Sequence, residues 1–156
     1  MASKIVYHGT LSEEPPHEHG YPFHAGTLAS ADERLADEIQ TGDGPYQTGV
    51  ASIHAYEVDD ATPTSRHVWG DPLFRKTGRD YDAHRAVPEH KENRIYPYKN
   101  AHEDRGSTSY VIPSNFVGKH VKHLGVQFQR IVNPYDGRAE AVYNAMSVMS
   151  GGRYKS

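Results

Sequence analysis

The sequence predicts an α+β fold, because short apolar runs with strand character recur along the chain while only two longer segments have helical period or composition. The clearer of these is LASADERLADEIQ, residues 28–40, directly after the second strand-like run; the other is GRAEAVYNAMSVMS near the C-terminus. With 156 residues and no sustained shift of composition, one domain spanning 1–156 is expected.

The elements follow in chain order. Ile5 to Tyr7 reads as a short strand, and Leu11 to Tyr21 as a loop, since SEEPPHEHG is dense in prolines and charges. Phe23 to Ala25 reads as a second strand. Thr27 is placed to cap the helix that follows, in which Leu28, Ala31, Leu35 and Ile39 share one face and Gly42 marks the end. Val50 to Val58 alternates over a length that suits a central strand. From Asp59 to Lys91 the pattern weakens around Pro63, Pro72 and Pro88, with a short helix near Tyr81–Ala86. Strands are then predicted at Asn93–Tyr98, Thr108–Ile112 and Lys122–Val132, the second and third separated by PSNFVGK, before the C-terminal helix over Gly137–Ser150.

Composition narrows the function. Hydrophobic residues make up 36% of the chain and mean hydropathy is -0.78, lean for a globular domain, but eleven tyrosines bring large apolar area with a polar tip. Net charge is -3, so no excess of positive charge recommends nucleic acid as a partner. Eleven histidines qualify that balance in acid. The absence of cysteine excludes disulfides and thiolate chemistry. No apolar run approaches a membrane span, and the N-terminus has no signal-like stretch, so a soluble, cytoplasmic protein is expected.

The chemistry-bearing pattern is a near repeat: YHGT at 7–10 and FHAGT at 23–27. Each places a histidine at the end of a short apolar run beside small residues, so an imidazole and a closely approachable backbone are both on offer. Either histidine alone reads as an ordinary strand-end residue; together, with Gly9 and Gly26, they read as two neighbouring strands ending at one site. Metal binding by His17, His19 and His24, with Glu13, Glu14 and Glu18 near, is the weaker competing reading, because the spacing matches no known ligand pattern. Trp69 reads first as a packing residue, Arg34 as a solvated helix residue, and Lys119, His120, Lys122 and His123 as a solvated basic group.

Taken together, YHGT, FHAGT, the helix ASADERL, the strand ending in YEV and the later SYVI resemble the ADP-ribosyltransferase fold of the H-Y-E type, and in particular its small phage members. The resemblance covers most of the chain and is patchy between Asp59 and Lys91. It implies two small packed sheets forming an NAD-binding cleft, and an NAD-dependent mono-ADP-ribosyltransferase acting on a protein or other macromolecule, in the host cytoplasm if phage-encoded. It implies that His8 and Gly9, with Thr10 beside them, hold NAD. The position of the family's stacking tyrosine falls on His24, as in the tRNA 2'-phosphotransferase branch, with Tyr21 as the alternative. Aligning SYVI with the strand that carries the family glutamate puts Ser109 in the acid's place. The nearest acids are Glu103 and Asp104, of which Glu103 is the candidate to stabilise the positive charge that develops as nicotinamide leaves; its ordinary reading is a solvated loop acid.

Two other functions stay open. A catalytically silent protein that keeps the scaffold and acts by docking or assembly is favoured by Ser109. RNA 2'-phosphotransfer would call for a basic surface that the net charge does not supply.

Overall fold

The computed structural model describes residues 2–20, 22–41, 50–66, 68, 93–100 and 104–131, with backbone only for 37–41 and 130–131. Within them the fold is mixed α+β, two small antiparallel sheets and one helix. The first sheet has the order β1-β3-β6, from β1 (Ser3–Thr10), β3 (Val50–Asp59) and β6 (Val121–Ile131). The second has the order β2-β5-β4, from β2 (Phe23–Ala25), β5 (Thr108–Ile112) and β4 (Tyr96–Lys99). Helix α1 (Leu28–Thr41) follows β2.

The period of two explains which side of each strand is covered. In β3, Ala51 and Ile53 join Leu11, Ala31, Leu35 and Ala36 in a core beneath α1. Tyr56 and Val58, on the other face, join Val6, Phe23, Ala25, Ile112 and Phe116 in a second core between the sheets. A central strand covered on both sides is buried on both, as Ala51 through Tyr56 are, with Ser52 and His54 as its enclosed polar members.

Close approach of α1 depends on Gly9. A Cβ there would lie 2.5 Å from the carbonyl oxygen of Ala31 and 3.1 Å from the Leu35 Cβ. Thr27 caps α1 as expected, its Oγ1 accepting the Ser30 N–H at 3.1 Å, and the same hydroxyl donates to Asp104 Oδ2 at 2.6 Å. Replacing Thr27 by alanine should therefore cost about 1–2 kcal/mol, the upper part of the range for a cap, because it also frees the 104–106 turn. Chemical denaturation measures this, and a loss below a few tenths would show that neither bond matters.

Strand limits differ modestly from expectation. β1 runs further at both ends, since residues Ser3 to Thr10 all pair in register with β3 from Asp59 back to Ser52. β4 begins at Tyr96 because Ile95 is drawn into a parallel bridge with Thr64, its N–H donating to the Pro63 carbonyl at 2.8 Å. β6 is shifted by one residue, and the loop after β1 contains a 3-10 turn, Pro16–His19. The helices expected at 81–86 and 137–150 lie outside the described residues, as do Gly42 and Trp69. Among the described residues no helix is long and apolar enough to cross a membrane.

Candidate functional site

The two histidine–glycine segments do meet. Tyr7 exchanges both backbone hydrogen bonds with Gly26, at 2.7 and 2.9 Å, which ties the edge of β1 to the end of β2 across the two sheets. One residue further, His8 Nδ1 bonds the carbonyl oxygen of His24. A carbonyl can only accept, so Nδ1 carries the proton and Nε2 is the acceptor nitrogen of a neutral ring. Burial holds the His8 imidazole down at about 4; the His24 carbonyl opposes this, and Arg34 and His19 add to it. At neutral pH the ring is therefore a fixed, uncharged acceptor.

The backbone next to it is also oriented. Because Tyr7 spends its N–H and C=O on Gly26, the unbroken β1–β3 register turns the N–H and C=O of Gly9 to the same outer edge. Among the described residues no backbone group takes them up. Thr10, half-buried, closes the strand opposite Ser52 and shares the His8 face.

His24 sits on the face of the second sheet that also carries Tyr98. Its Nδ1 lies 2.9 Å from the Tyr98 hydroxyl and the two rings meet edge to face at 5.5 Å, so the imidazole is held in one orientation. Tyr21 and Glu103 lie outside the described residues. Ser109 is buried and turned inward: Asn100 Nδ2 donates to its Oγ at 2.8 Å, and a Cβ on Gly26 would lie 2.0 Å from that oxygen. Gly26 is thus required by Ser109, whose hydroxyl packs between Gly26 and Asn100.

Asp104, the acid after Glu103, is committed to structure. Besides accepting from Thr27, its N–H donates to Glu33 Oε2 at 2.6 Å, and its φ of 43° is a left-handed conformation that aspartate tolerates better than most residues. Desolvation raises the Glu33 carboxyl, partly offset by that N–H. The turn bearing Asp104 is therefore tied to the start of α1, two elements that the sequence separates by more than sixty residues.

The histidines of the metal reading have separate partners. His17 Nδ1 lies 2.8 Å from the Tyr56 hydroxyl, His19 Nε2 lies 3.7 Å from Glu14 Oε2, and His24 turns to Tyr98. Among the described residues no three histidine or carboxylate side chains are arranged to hold a metal ion. Lys119, His120, Lys122 and His123 line one shallow depression, which Glu57 and Asp59 share, so its charge is mixed.

Sequence reading missed the densest polar feature. His54 Nδ1 lies 3.1 Å from His123 Nε2, and the His123 ring also packs on Tyr56 at 5.0 Å and His17 at 5.2 Å. Alternation in VASIHAYEV puts His54 and Tyr56 on one face, but nothing local pairs them with a histidine 69 positions away. No family model, no curated protein and no solved structure gives a match to this chain.

Proposed function

We propose that the chain is an NAD-dependent mono-ADP-ribosyltransferase of the H-Y-E type, transferring ADP-ribose to a protein or other macromolecular acceptor. One observation carries the reading: the convergence of His8, the buried Gly9 and the end of β2, where a neutral histidine acceptor adjoins a backbone donor and acceptor on the edge of β1 away from β3. Those groups suit a dinucleotide with a carboxamide at one end and ribose hydroxyls at the other. A carboxamide both donates and accepts, as the Gly9 edge requires, and a ribose hydroxyl donates to a bare imidazole nitrogen.

In this reading His8 and Gly9 bind and orient NAD, with Thr10 beside them. His24, fixed by Tyr98, offers a ring face to the nicotinamide, and Tyr21 is the alternative. Glu103 stabilises the positive charge on the ribose as the nicotinamide–ribose bond breaks, and the acceptor nucleophile then takes the ADP-ribosyl group and gives up its proton. Ser109 contributes by packing the strand end.

Calorimetric titration with NAD tests the binding half. His8→Ala should weaken binding about tenfold, the effect of losing one well-placed hydrogen bond together with the order it imposes on the His24 carbonyl. Unchanged affinity would remove His8 from the site.

The buried Ser109 favours a second reading. An acid at that position would be a charge enclosed against Gly26 and Asn100, so β5 has no room for the family glutamate. If Glu103 does not replace it, the scaffold binds NAD or a partner without breaking the bond.

A further inference from the structure

The face of the first sheet beyond His8 carries a second cluster, which the NAD reading does not use. His54 from β3 is 1% exposed, and its Nδ1 shares a proton with His123 from β6, while its Nε2 has no hydrogen-bond partner among the described residues. His17, from the 3-10 turn Pro16–His19, closes the cluster by bonding Tyr56 and packing on His123. That turn fully buries none of its own residues; His17 joins it to β3 and β6, and it also packs on the turn Ser114–Phe116. The loop has natural limits: Leu11 and Ser12 are buried at one end, and Gly20 adopts a left-handed φ of 77° at the other.

We propose that residues 13–20 form an acid-released strap, latched at neutral pH by His17 onto Tyr56 and His123 and let go when the histidine cluster takes up protons. The geometry gives the reason. The His54–His123 bond needs one nitrogen bare, so protonating both rings destroys it. A proton on His54 would also create a charged ring with an unpartnered N–H in a buried position. Adding charge to His17 sets it against His123 in direct contact.

The groups around the cluster support the direction. His8 faces it from β1, His54 and Tyr56 from β3, His123 from β6, and His17 and Glu18 from the strap, with Arg34 of α1 behind His8. Desolvation first, then His123, His8 and His17, hold His54 down at about 4, and desolvation lowers His17 and His123 as well. Glu18 opposes the shift at His17 and His123. Tyr56 is pushed upward by burial and stays a phenol. With closed-state values below the ordinary 6.5, latching is complete above about pH 6.5 and weakens as pH falls from there toward 4. The strap does not depend on the NAD reading.

Hydrogen exchange of the amides in 13–20, expressed as protection factors so that the chemical exchange rate divides out, tests this between pH 7 and pH 5. Protection of the strap should fall on the order of tenfold or more, while central β3 amides lose less. His17→Gln, which can keep the bond to Tyr56 without titrating, should flatten the dependence. Glu18→Gln, an exposed change that leaves the fold intact, should steepen it by lowering the closed-state values further. Strap protection that is independent of pH, undiminished pH dependence in a folded His17→Gln protein, or equal dependence in wild type and Glu18→Gln would each overturn the proposal.

Discussion

Glu103→Gln is expected to leave NAD affinity nearly unchanged while nicotinamide release falls on the order of a hundredfold or more, the signature of an interaction made mainly in the transition state. Breaking the glycosidic bond leaves positive charge on the ribose, and a carboxylate in a partly dry site stabilises that charge far more than it stabilises a neutral contact. Glutamine keeps the size and the hydrogen bonding but not the charge. Asp104 provides the internal comparison. Its side chain is engaged by Thr27 and its N–H by Glu33, so Asp104→Asn should act on the turn and lower release less. Steady-state assays of free nicotinamide measure both. Equal release by wild type and Glu103→Gln would clear Glu103 of the role, and no release by wild type, even with a cell extract supplying acceptors, would favour the silent binding protein.

Leu35→Ala carries the largest expected loss of stability. Leu35 is fully buried between α1 and the first sheet, among Leu11, Ala31, Ala36, Ala51 and Ile53, and its Cβ is one of the atoms nearest Gly9. Truncation removes the transfer free energy of three heavy atoms and leaves a cavity that two backbones in near contact cannot close, so about 2–5 kcal/mol is expected. Because α1 rests on Gly9, the loss should also loosen the edge of β1. Urea unfolding measures it, and a change below about 0.5 kcal/mol would place Leu35 on the surface.

What the sequence makes legible follows from the range of each signal. Phe23–Ala25 and Thr108–Ile112 are bounded by glycine, proline and serine neighbours, and both strands fall where expected. The helix is legible because a capping threonine and an apolar stripe at helical spacing are local features, and Thr27, Ala31 and Leu35 do what that pattern requires. The pairing of the two histidine–glycine segments is legible for a different reason: the same small chemistry occurs twice at strand ends only sixteen residues apart. Long-range polar contacts carry no such mark. His54 with His123, Asn100 with Ser109 against Gly26, and Glu33 with Asp104 each join residues whose neighbours look ordinary, and their meaning arises only when β3, β5, β6 and α1 are assembled. Ser109 belongs with these: period two puts it on the face shared with Tyr98, and there its oxygen accepts from Asn100 against Gly26.

The central claim is that NAD binds at the edge of β1 beside His8 and Gly9, and an NMR titration tests it most directly. Adding NAD to isotope-labelled protein should shift the Gly9 amide and the His8 Nε2 resonance together and saturably, with the Tyr7 amide, already held by Gly26, moving little. Saturable shifts located elsewhere, or none at Gly9 and His8 at millimolar NAD, would contradict the claim.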